Sequence, residues 1–135
     1  MAQATVTQAE AALADLSGLS DNQRRQYQAE VDAARQAAIA AGEDEAARIA
    51  ADVGSYRDDV LAELCEVRDA LAAAQSGGDR SDLSGLRTRH RALLAKVEEV
   101  ERLVDQVEAI EADPFAYGEA VFAKYPLTRP KFSFI

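Results

Sequence analysis

The chain has 135 residues, with 15 Lys and Arg against 24 Asp and Glu, a net charge of −9, one His, one Cys and no Trp. Of its 65 apolar residues 29 are alanine, and six of the eight aromatics lie at or beyond Phe115. That distribution excludes a large enzyme with a deep apolar pocket and argues against a β-rich domain, while the acidic balance disfavours broad nucleic-acid binding.

Residues 1–19 predict a short helix and a linker. Thr7 followed by Glu10 has the capping-box pattern, and Val6, Ala9, Leu13 and Leu16 share one helical face. This stretch carries neither a basic cluster nor the apolar core of a cleaved secretory signal. No apolar run of about 18 residues occurs either, so a spanning helix is not expected. Cys65 is the lone cysteine and fits a reducing compartment. The location expected from these features is cytoplasmic or virion, with no membrane as partner.

Residues 20–112 predict a helical bundle. Ser20 with Gln23 repeats the capping-box pattern and opens a helix near Asp21. Gly42, followed by Glu43-Asp44-Glu45, resembles a helix end and a new helix start, and a break or kink is expected there. The alternative is one helix that runs on through Gly42.

Beyond that point Val53, Arg57, Val60, Leu64, Val67 and Leu71 alternate at spacings of four and three. After the turn-like stretch Gln75 to Ser81, the same spacing returns in Leu83, Leu86, His90, Leu93, Val97, Val100, Val104 and Val107. Folding 43–75 against 82–112 pairs Leu71 with Leu86, Val67 with His90, Leu64 with Leu93, Val60 with Val97 and Arg57 with Val100. The same register brings Glu63, Glu66 and Asp69 towards Arg87, Arg89 and Arg91. Two independent patterns agree, which predicts an antiparallel coiled-coil hairpin. Ile49, Tyr56, Leu61, Leu94, Leu103 and Ile110 sit beside that seam, and the helix 21–41 or a second copy is expected to cover them.

Residues 113–135 predict a short helix from Pro114 to about Lys124, begun by Asp113, and then an extended tail. Here Phe115, Tyr117, Phe122, Tyr125, Phe132, Phe134 and Ile135 concentrate apolar area beside Arg129 and Lys131. Aromatics with arginine are the residues most often found at interface hot spots, and the tail's alternation would suit strand addition to a partner sheet. Docking in cis onto its own bundle is the competing reading.

Other constellations are weaker. His90 lies in the seam with no triad around it, Cys65 is flanked by Glu63 and Glu66, and Glu98, Glu101, Asp105 and Glu108 form an outward stripe without an ExxH pair. Arg80, Arg87, Arg89, Arg91 and Lys96 are a basic cluster without interleaved aromatics.

The expected fold is therefore all-α, a coiled-coil hairpin within a three-helix-type bundle plus an extended C-terminal tail. No catalytic residue, metal, cofactor or small-molecule substrate is expected. The expected role is a non-enzymatic structural or assembly subunit that docks through its C-terminus or self-associates, of the general type found among phage head and tail components. A small helical adaptor, scaffold or assembly chaperone is the alternative.

Overall fold

The computed structural model describes residues 5–77, 81–128 and 130–135. Among these residues every regular element is helical: α1 (Val6–Asp15), α2 (Asp21–Gln75), α3 (Leu83–Ala112), α4 (Pro114–Lys124) and a single 3₁₀ turn at Pro126–Thr128. The chain divides into two compact units, one of Met1–Ala46 with Ala109–Ile135 and one of Ala47–Glu108.

In the first unit, α1 starts earlier than its sequence pattern suggests. Thr5 is the N-cap: its hydroxyl accepts the Gln8 N–H at 3.3 Å, and Gln8 Oε1 accepts the Thr5 N–H at 2.9 Å. Thr7 and Glu10, the expected capping pair, have partners on other helices instead. The Thr7 N–H and hydroxyl both donate to Glu119 Oε1, at 2.8 and 2.7 Å, and Glu10 pairs with Arg35. Tertiary partners outcompete the local motif. The second box forms as expected, with Ser20 Oγ accepting the Gln23 N–H at 3.2 Å. Arg24 reaches back to the Leu16 carbonyl at 3.2 Å and satisfies the end of α1.

The expected break at Gly42 does not occur, since α2 runs through it as one helix of 55 residues. Gly42 serves a crossing and not a cap. A Cβ there would stand 2.6 Å from Pro114 Cα and closer still to the Pro114 carbonyl. Gly118 does the same for α4, where a Cβ would stand 2.5 Å from Ala38 Cα. Helix α4 therefore lies on α2 with almost no side chain between them.

In the second unit, α2 and α3 share a cluster of Leu64, Val67 and Leu93, with Leu71 and Val97 packed against it. Glu63 pairs with Arg89 at 4.0 Å across the same pair of helices. Burial is uneven along the heptads. Val53, Val60, Val67 and Ala74 on α2, and Leu93, Val100 and Val107 on α3, are buried at seven-residue intervals. The other row is mixed: Leu64 is buried, Leu71, His90, Val97 and Val104 are half-buried and Arg57 is exposed, while Leu86, which begins the first row of α3, is half-buried. Ile49 and Ile110 are buried, Leu103 is half-buried, and Tyr56, Leu61 and Leu94 remain 36%, 42% and 38% exposed.

The glycines yield a direct test. Gly42→Ala and Gly118→Ala each force the α2–α4 crossing apart and should cost about 1–3 kcal/mol. Gly54 lies within α2 with nothing near an added Cβ, so Gly54→Ala should stabilise by about 0.5–1 kcal/mol. Urea midpoints of the three variants against the parent chain measure both signs.

Candidate functional site

The C-terminal segment is built outward from Asp113. Its carboxylate accepts the Ala116 N–H at 3.1 Å, and Pro114 occupies the first turn, where its missing N–H costs nothing. Helix α4 then points Phe115 towards α2, where the Arg35 guanidinium stands 4.6 Å from the ring centroid. Arg35 thus holds Glu10 of α1 and Phe115 of α4 at once, a cation–π contact with an ion pair behind it. Phe122 is buried, and Tyr117 is half-buried.

Beyond α4 the chain turns back on its own unit. Phe132 is 9% exposed and joins Val6, Ala9, Leu13, Val31 and Ala34 in one cluster, with Tyr27, Phe115 and Phe134 packed around it. Phe134 stacks on Tyr27 at 4.7 Å between centroids and meets the edge of Phe132 at 5.9 Å. The Ile135 N–H closes a turn on the Phe132 carbonyl at 3.4 Å, so the final residues form a turn where strand-like alternation was expected. Ser133 reinforces it, donating from its hydroxyl to Glu30 Oε1 at 2.7 Å and from its N–H at 3.4 Å. The second Glu30 oxygen, Oε2, is buried with no hydrogen-bond partner among the described residues.

The residues expected to face a partner are therefore divided. Phe132 and Phe122 belong to the chain's own core, Phe115 and Phe134 pack against the cluster that holds Phe132, and Tyr117 is half-buried. Tyr125 at 54%, Ile135 at 60% and the Lys131 side chain remain on the surface. Arg129 lies outside the described residues. Leu127, which sequence reasoning passed over, is 99% exposed. It sits in a turn fixed by two hydrogen bonds to the Tyr125 carbonyl, from the Thr128 N–H at 3.0 Å and the Thr128 hydroxyl at 2.7 Å. Its signal in the sequence was its place between Pro126 and Thr128, a turn with one large apolar residue.

In the second unit a groove of about 400 Å³ opens between α2 and α3. Its walls include Arg57, Leu61, Val97 and Val104, with Glu101 and Asp105 along one edge. Arg57, placed in the seam by its spacing, is exposed and lines this groove. His90 is half-buried and Cys65 is exposed. Glu98, Glu101, Asp105 and Glu108 are all exposed, and among the described residues no group of three or more His, Cys, Asp or Glu is arranged to hold a metal. Of the basic cluster, Arg87, Arg89, Arg91 and Lys96 are exposed, and Arg80 lies outside the described residues. Among the described residues no helix is long and apolar enough to cross a membrane.

Compared with protein-family models, curated proteins and solved structures, the chain finds no match.

The division of the C-terminal aromatics can be measured. Phe132→Ala empties a core position shared with α1 and should cost about 3 kcal/mol of unfolding free energy. Ile135→Asp, three residues on but largely exposed, should change stability by no more than about 0.5 kcal/mol. Urea unfolding followed by circular dichroism separates the two.

Proposed function

We propose that the protein is a non-enzymatic structural or assembly subunit, a helical unit with a coiled-coil hairpin that docks onto a larger protein assembly through its C-terminal region. A virion head or tail is a setting that suits such a subunit. The single observation that carries this reading is Leu127, almost wholly exposed on a turn held by the Tyr125 carbonyl, with Tyr125 and Ile135 also exposed in the same unit. A bulky apolar side chain held out in water gains about 1.5–3 kcal/mol when a partner covers it. Lys124, whose ammonium stands 5.6 Å from the Tyr125 ring centroid, adds a positive charge beside the aromatic. The docking surface is accordingly Tyr125, Leu127, Lys131 and Ile135, with Phe132 and Phe134 anchoring the segment from behind.

Anchoring matters to affinity. A free Phe-Ser-Phe-Ile tail would have to be ordered upon binding, whereas a segment already fixed to the body loses little further freedom. An adaptor or assembly chaperone would use the same surface. It would differ in leaving its partner once assembly is complete, whereas a structural subunit stays at fixed stoichiometry.

A photo-reactive amino acid at Leu127, with Ser55 as the exposed control, tests the proposal in the native host. The expected outcome is one dominant adduct from position 127, with the partner present in the purified mature particle at constant ratio to the chain. Equal, diffuse labelling from positions 127 and 55 would sink the docking role. A dominant adduct with a partner that is missing from the mature particle would move the protein to the chaperone class.

A further inference from the structure

We propose that the half-open face of the α2–α3 pair in Ala47–Glu108 is a homodimer interface, occupied by the same face of a second copy of this chain.

The burial pattern comes first. One heptad row of α2, from Val53 to Ala74, is buried at regular intervals, and in the other Leu64 is buried too, but Arg57 is exposed and Leu71 half-buried, and on α3 His90, Val97 and Val104 stay half-open. Two helices cover each other along one seam only, and side chains at its open edge need further helices to cover them. Leu61 stands beside this open edge, and Leu94, one turn before Val97, lies on the same side of α3. Both leucines are about 40% exposed, where leucine on a bundle face gains from cover.

Charge then selects the occupant. The groove sets one cation, Arg57 on α2, against two carboxylates, Glu101 and Asp105 on α3. A surface carrying both signs on opposite helices is complementary to itself under a two-fold rotation, the defining property of an isologous contact. With the axis running along the helix pair, α2 of one copy lies over α3 of the other at equal height. The packing of Val60, Val97 and Val100 in one groove fixes those heights. Arg57 then faces Glu101 and Asp105 of the second copy, and the relation repeats with the copies exchanged. Leu61 faces Leu94 and Val97 of the second copy in the neighbouring layer. Each helix pair thereby completes a four-helix bundle, apolar along its centre, with two equivalent charge clusters at its rim. A heterologous partner would need the complementary pattern by separate design, whereas a second copy carries it already.

Sedimentation of the full chain across a concentration series tests the proposal. The parent chain should give a dimer mass. Arg57→Glu should raise the dissociation constant by at least roughly tenfold, and Arg57→Glu with Glu101→Arg should recover most of that loss. Leu61→Asp should leave a monomer of unchanged helical content by circular dichroism. Arg57 and Leu61 are both exposed within the chain, so loss of the dimer by either variant reports on the interface and not on folding. A monomer at all concentrations overturns the proposal. So does an oligomer indifferent to both Arg57→Glu and Leu61→Asp, or a charge-swapped variant that binds no better than Arg57→Glu alone. None of these positions lies in the C-terminal segment, so the outcome is independent of the docking surface there.

Discussion

The first unit depends on one crossing, that of α4 over α2 at Ala38, Gly42, Pro114 and Gly118, where backbone meets backbone. Any side chain at Gly42 or Gly118 would lift α4 away. Lifted, α4 could not keep Phe115 on the Arg35 guanidinium or Glu119 under the first turn of α1. Phe122 would lose its burial, and the turn carrying Phe132 would no longer reach Val6 and Val31. Close packing at small residues is usually a way to shorten the distance between two helices. Here it also sets the position of everything that follows α4. Glycine is tolerated in the middle of α2 because the contact it permits outweighs its propensity cost of about 1 kcal/mol.

The same crossing shows where the sequence could be read and where it could not. Helices with strong periodicity were legible: α3 and α4 fall where their spacing and caps place them. The contacts of Leu64, Val67 and Leu93 follow from a pattern of four and three alone. Gly42 was misleading because a glycine that terminates a helix and one that admits a neighbour look alike in one sequence. Only the distant Pro114 tells them apart. Thr7 misled for a related reason, since its acceptor, Glu119, lies 112 residues away. The C-terminal aromatics announced an apolar surface, but not whether the protein's own α1 or another chain would cover it. Val6, Ala9 and Leu13 were visible as a helical face, yet nothing local linked them to Phe132.

The two units differ in the material of their cores. The first brings together Phe115, Phe132, Phe134 and Tyr27 around small and branched residues, so a few large rings fill its interior and fix its geometry. The second relies on valine, leucine and alanine along two helices. Regular aliphatic repeats give uniform layers, which carry less information about a unique partner than an aromatic cluster does. Charges stand at the margin of this second unit, Glu63 with Arg89 across the helix pair and Arg57 beside the groove.

The contact of Phe132 with α1 has a kinetic consequence. The core around Val6 joins elements from opposite ends of the sequence, and Ser133 meets Glu30 across 103 residues. During synthesis α1 can pack early against Val31 and Ala34 of α2, but Phe132 joins this cluster only after the residues between have been made. Residues 47–108, whose contacts are nearer in sequence, can close beforehand. The core around Val6 is thus completed only after residues 47–108 are able to pack. Until then this cluster lacks one of its large side chains, and the nascent chain is most open to chaperones and to misassociation.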